Sequence, residues 1–194
     1  KGKKPPEMPF PRMAYAEAME SYGSDKPDLR FDLPLIDLTD VFRNTEFGVF
    51  KKTIQDGGAI KSIVLTGKKL SRKDLDTAVD TAKEMGAGGL IWMRRDSEGL
   101  QSPIAKFLSD GEKTQMENIL GLSTGDVVFI MADKRSRVND IMGRFRLYIG
   151  AKYDLINKSV DKFLWVIDFP LLEYSEEDKR FVAADAEPCN VVRE

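Results

Sequence analysis

A chain of 194 residues that is 42% hydrophobic is long enough to bury a real core, and its 30 Lys and Arg against 32 Asp and Glu leave a net charge of −2, which excludes a strong global attraction to nucleic acid or anionic membrane. With no histidine and one cysteine, Cys189, the sequence excludes an internal disulfide, a zinc site, a Cys-His pair and a Ser-His-Asp triad. No apolar run reaches the roughly 20 residues of a membrane-spanning helix, and no signal-type apolar core follows the basic first residues, so a cytoplasmic protein with a reduced thiol is expected.

Residues 1–11 hold four of the nine prolines and read as an extended lead-in. Residues 13–22 form a short helix that Gly23 and the pre-proline position at Lys26 terminate. Residues 33–38 return to apolar, extended chain. Residues 60–65 are a β-rich run, and Ser71 with Asp74 then matches a capping box ahead of a helix whose Leu75, Ala78, Val79, Ala82 and Met85 recur at helical spacing up to Gly86. The glycines of 86–89 follow a helix and precede a strand, the wrong order for a phosphate-binding loop. Residues 89–93 are a second strand, 110–120 a helix closed by Gly121, and 126–132 a third strand whose unbroken apolar character suits a central position. Residues 136–153 form the longest helix, with Val138, Ile141, Met142, Phe145 and Ile149 on one stripe. Two strands, 163–169 and 180–184, are expected to pair as an antiparallel hairpin across the acidic turn 173–179. The fold class is therefore α+β, a two-layer α/β sandwich with extended flanks and a C-terminal hairpin.

Two strings at opposite ends carry a specific resemblance. Residues 22–31, YGSDKPDLRF, resemble the segment that follows the second class II motif of aspartyl-tRNA synthetases. Residues 163–174, FLWVIDFPLLEY, resemble the point where the bacterial enzyme's chain returns to its catalytic domain. The intervening stretch, with SRKDLDTAVDTAKEMGAGGLIW and GDVVFIMADKRSRVNDIMGRFRLYIG, is similar to the GAD insertion domain, which is shared with a subunit of tRNA-dependent amidotransferases. The resemblance runs from residue 9 to 184 and has ended by Asp185, where the family's HHPF string does not follow. It implies an N-terminal flank at 1–44, a GAD-like domain at 45–155 and a C-terminal flank at 156–194, the two flanks leaving and re-joining their host through neighbouring points near 33–38 and 163–169. It also implies a longer enzyme that ligates aspartate to tRNA through aspartyl-adenylate, using ATP and Mg2+ as a cytoplasmic homodimer with no membrane or DNA partner. Strings of the FRDE and GLGLDR types, which hold ATP in the family, have no counterpart here, so these residues alone are expected to lack a complete active site and to bind neither ATP nor Mg2+. An amidotransferase tRNA-binding module and a protein-interaction domain without RNA contact are the alternatives.

Asp25, Lys26 and Asp28 lie in the loop that the resemblance assigns to the catalytic domain, where they would contribute to an aspartate or ATP pocket; otherwise they are solvated charges on a turn shaped by Gly23 and Pro27. Asp168 sits inside an apolar strand and is expected to need an ion-pair partner. Lys134, Arg135, Arg137, Arg144, Arg146 and Lys152 surround the longest helix and form the one concentrated positive surface expected, suited to tRNA phosphates or else merely a solvated face. Arg137 and Arg144, seven apart, are expected to share its exposed side.

Overall fold

The computed structural model of the chain describes residues 9–175 and 179–183. Its centre is the antiparallel pair β3 (Ala59–Leu65) and β6 (Val127–Asp133), in register from Ala59 opposite Asp133 to Leu65 opposite Val127. β2 (Ile36–Asp37) extends the sheet beyond β3, while β4 (Ile91–Asp96) and β5 (Gly99–Gln101) extend it beyond β6, giving the order β2-β3-β6-β4-β5. β6 is central, as its apolar run implies, and Val127 to Met131 are all buried.

Because side chains alternate across a strand, the sheet has two apolar faces. Val127, Phe129 and Met131 join Ala59, Ile63 and Leu65 on one, covered by α3 (Arg72–Glu84) and α5 (Arg135–Lys152). Val128, Ile130 and Ile60 face the other way, against Phe50 of α2 (Gly48–Gln55) and Met116 and Leu120 of α4 (Asp110–Leu120). The α+β class holds, and α2 and α4 add a helical layer on the second face. The capping box of α3 is present, with Ser71 accepting from the Asp74 amide and the Asp74 carboxylate accepting from the Ser71 amide; Ser109 and Glu112 repeat the device on α4. Residues 31–42 are integral to this unit, since Phe31, Leu33 and Leu35 lie in the first core and Leu38, Val41 and Phe42 in the second.

Two segments far apart in the sequence meet beside it. β1 (Arg12–Ala14), which leads into α1 (Tyr15–Tyr22), pairs in parallel with β7 (Trp165–Ile167), and Phe10 stacks on Phe163 at 5.3 Å. The expected hairpin is corrected in its first strand: β9 (Arg180–Ala183) pairs with β8 (Leu172–Ser175), not with 163–169. The physical reason is a break in the chain, where Asp168 takes a φ of 59° and Pro170 follows, so the backbone turns before it can pair again. Asp168 is exposed beyond the end of β7, so the burial cost that called for an ion pair does not arise. The segment that lies beside 165–167 is β1, whereas 33–38, expected there, packs into the two cores; a second link joins the flanks, where the Arg30 carbonyl accepts from the Asn157 amide at 3.3 Å. Residues 176–178 of the acidic turn, the lead-in 1–8 and Cys189 lie outside the described residues.

Candidate functional site

α5 is buried on two sides. Val138, Ile141, Met142, Phe145 and Ile149 face the sheet as expected. A second stripe, Asn139, Gly143, Arg146 and Gly150, is equally buried and faces the segment from Glu20 to Leu33. Helical spacing of four, three and four residues puts these on one side of the helix. A methyl group on Gly143 would stand 2.8 Å from the carbonyl oxygens of Tyr22 and Gly23, and one on Gly150 would stand 2.7 Å from the Phe31 ring. Gly23 closes α1 in the left-handed region at φ 66°, where its amide donates back to the Met19 carbonyl, so this contact needs glycine on both sides.

Between the two helical glycines, Arg146 is 1% exposed, and its hydrogen bonds all go to backbone carbonyls. Its Nε donates to the Leu33 carbonyl at 2.9 Å, and one terminal nitrogen donates to the carbonyls of Asp28 at 2.9 Å and Phe31 at 3.1 Å. The guanidinium lies 4.0 Å from the Phe31 ring centre and 4.9 Å from that of Tyr22. Burial pulls its pKa below the ordinary arginine value, with Tyr22, Asp28 and Asp32 acting in the other direction. Its inclusion among surface cations for RNA is corrected: the side chain is a buried staple for the loop at 28–33, because position 146 falls on the inner stripe.

A charged cluster closes the other end of the seam. Lys61, 2% exposed in the middle of β3, meets the carboxylates of Glu20 and, at 3.3 Å, Asp37. Arg135 at the start of α5 reaches the same two acids at 2.8 and 3.1 Å, and the Asn139 side-chain amide donates to Glu20. Burial opposes the charge on Glu20, but Lys61, Arg135 and Asn139 outweigh it and hold the carboxyl below its usual range. Asp37 is likewise lowered against its own burial, by Thr39, Lys61 and Arg135. Arg135 is raised despite burial, by Glu20 and Asp37. Each of these carboxylates is committed to a cation, so none is poised as a general base near neutral pH. The arrangement is a clamp.

The remaining predicted residues separate. Asp28 is chelated by Arg30 through two hydrogen bonds of 3.0 and 2.8 Å, which lower its pKa, while Asp25 is half-buried and Lys26 exposed on the same turn. Arg137 and Arg144 do share an exposed side, yet each is tied down: Arg137 to Asp133 and to the Gly86 carbonyl at 2.7 Å, Arg144 to Asp140 and to the Met85 carbonyl at 3.0 Å. They therefore cap the C-terminal end of α3, where a positive charge is favoured by the helix dipole. Lys134 is exposed, and Lys152 lies at the far end of α5 on the Tyr148 hydroxyl at 2.9 Å. An open groove of about 480 Å³ between Asp40, Arg43, Phe107 and Glu112 contains none of them. Among the described residues, no group of three or more His, Cys, Asp or Glu is placed to hold a metal ion, and no helix is long and apolar enough to cross a membrane. Glu20, Lys61 and Asn139 escaped the sequence reading, although a lysine inside an apolar strand and glycines seven apart in a helix were available signals.

Residues 50–142 match the GAD domain family. The chain is 48% identical over 177 residues to an aspartate–tRNA ligase of Shouchella clausii, a match that covers 90% of this chain and 30% of the relative. It is 46% identical over 175 residues to an aspartate–tRNA(Asp/Asn) ligase of Aquifex aeolicus, covering 90% and 29%. A ligase of the same name from Caldanaerobacter subterraneus is 46% identical over 178 residues, covering 91% and 30%. The chain thus spans about 30% of the length of the relatives it matches.

Proposed function

We propose that this chain, whose residues 50–142 are a GAD domain, is the segment of an aspartate–tRNA ligase in which that domain is inserted between two pieces of the catalytic domain. The longer protein would activate aspartate with ATP as aspartyl-adenylate and transfer it to tRNA, acting with Mg2+ as a cytoplasmic homodimer. The carrying observation is that β1 and β7, from opposite ends of the chain, lie side by side next to the inserted unit, as the outgoing and returning strands of an insertion would. A free-standing amidotransferase module would need only the middle of the sequence, whereas the similarity to the ligases takes in 90% of the chain, including both flanks.

The division into 1–44, 45–155 and 156–194 belongs to this reading, with residues 31–42 packed into the inserted domain's cores. Asp25, Lys26 and Asp28 would face the host's substrate pocket on a loop whose backbone is set by Arg146 and by the glycine contact at Gly23. Among the described residues no group of three or more His, Cys, Asp or Glu is placed to hold Mg2+, so in this reading its ligands would come from the rest of the longer protein.

The test is a graft in which residues 9–183 replace the matching segment of the Shouchella clausii ligase. Aspartate-dependent exchange of pyrophosphate into ATP is expected to survive, and the 194-residue chain by itself is expected to show none. A graft that folds but has lost all exchange overturns the reading.

A further inference from the structure

The end of the sheet where Leu65, Val127 and Arg94 lie side by side carries a positive surface of a different kind from that of the α5 start. The chain leaving β3 reads Thr66-Gly-Lys-Lys-Leu-Ser-Arg-Lys73, and it runs directly into the N-terminus of α3. Arg94 on β4 donates to the Leu70 carbonyl, which binds this loop to the sheet. Arg72 lies over the Trp92 ring at 5.0 Å and pairs with Asp76. Lys152, at the end of α5, is near enough to Asp74 for the two charges to act on each other. Asp74 is turned onto Ser71, accepting from both its amide and its hydroxyl.

Six cations therefore share this corner with Asp74 and Asp76. Lys68, Lys69 and Lys73 form no ion pair among the described residues, in contrast to Arg135, Arg137 and Arg144, each of which is neutralised by an acid. Uncommitted ammonium groups are the ones that gain from meeting phosphates and releasing counterions. Trp92 is half-buried, packed against the core and covered by Arg72, so it is not offered to a base. A surface of free lysines without an accessible stacking ring is suited to a phosphate backbone and reads no sequence.

We propose that the loop 66–73, with Arg94 and Lys152 beside it, is the surface through which this domain meets the phosphate backbone of tRNA; this rests on the ligase reading above for the choice of nucleic acid. The test is fluorescence anisotropy of labelled tRNA transcripts with the 194-residue chain at 50 and 200 mM salt. Changing Lys68, Lys69 and Lys73 together to Glu is expected to weaken binding at least tenfold at low salt and to flatten the salt dependence by about one unit of slope per lysine. The pair Lys69→Glu plus Lys73→Glu, both exposed, should give most of that loss if the half-buried Lys68 proves sensitive to folding. The pair Arg137→Glu plus Arg144→Glu is expected to change affinity less than threefold. Two transcripts of different sequence should bind within twofold of each other. The proposal is overturned if the lysine variants bind as the parent does, if the arginine pair loses as much, if one transcript is preferred tenfold, or if the parent chain binds heparin but not tRNA. Pyrophosphate exchange by the graft needs no tRNA, so those outcomes leave the ligase reading standing, and loss of exchange leaves the binding result standing.

Discussion

The two buried sides of α5 solve one problem by opposite means. Toward the sheet the helix presents Val, Ile, Met and Phe, and its burial is driven by apolar area. Toward the segment Glu20 to Leu33 it presents two glycines, an asparagine and an arginine, and close approach is achieved by removing side chains and by satisfying backbone carbonyls with a buried cation. An apolar face tolerates substitutions that keep volume. A face in which backbone touches backbone, and a single guanidinium serves three carbonyls, has no such tolerance.

Phe145→Ala should have the largest effect, about 3–5 kcal/mol of stability lost, as for other buried aromatic truncations. Arg146→Ala should come close, at about 3 kcal/mol, because it leaves buried carbonyls of Asp28, Phe31 and Leu33 without a donor. Urea unfolding of both variants measures the comparison directly. If Arg146→Ala costs less than about 1 kcal/mol, the segment at 20–33 is not part of the cooperative unit.

Gly143→Ala sharpens the contrast through its sign. In the middle of an exposed helix this change gains roughly 1 kcal/mol. Here the new methyl would collide with two carbonyl oxygens of α1's end, and we expect a net loss of about 1–2 kcal/mol, read as a lower urea midpoint.

Acid provides a smaller, directional test. Glu20 and Asp37 have folded pKa values below their ordinary 4.5 and 3.8, so their contribution is present above those values and is lost as the pH falls through the folded ones. Unfolding midpoints measured from pH 6 to 3 should drop below about pH 4.5, and Glu20→Gln should make the drop shallower. An unchanged profile would mean that the clamp at Lys61 adds nothing to folding.

The smallest effect is expected at the half-exposed corner. Arg137→Ala and Arg144→Ala should each cost about 0.5 kcal/mol, since the cap on α3 is screened by solvent. A larger loss in thermal midpoint would place that corner among the buried contacts.

The same contrast explains what could be read from the sequence. The stripe 138/141/142/145/149, the capping box at Ser71 and the central place of 126–132 were legible because local pattern and tertiary role coincide there. α2 was passed over because its eight residues bury only Phe50, and β5 because it is three residues long. The parallel pairing of β1 with β7 has no local signature, so the sequence pattern alone favours a hairpin from 163–169 that the structure does not form. By charge Arg146 belongs with its neighbours, but its helical position is that of the buried Gly143 and Gly150. Arg137 and Arg144 were correctly placed on the exposed side, but their carbonyl partners at the end of α3 lie some fifty residues away in the chain and were out of reach.

The pairing of β1 with β7 also bears on how such a chain assembles. In an unfolded chain it closes a loop of about 150 residues, whereas once the Arg30 carbonyl and the Asn157 amide are joined only about 25 residues separate the two strands along the shortest path. Loop entropy grows as three-halves of RT times the logarithm of length, so prior folding of the middle makes the pairing about 1.5 kcal/mol less costly. The middle of the chain would then set the order of events during synthesis, with the outer strands joining last, around a centre that is already complete.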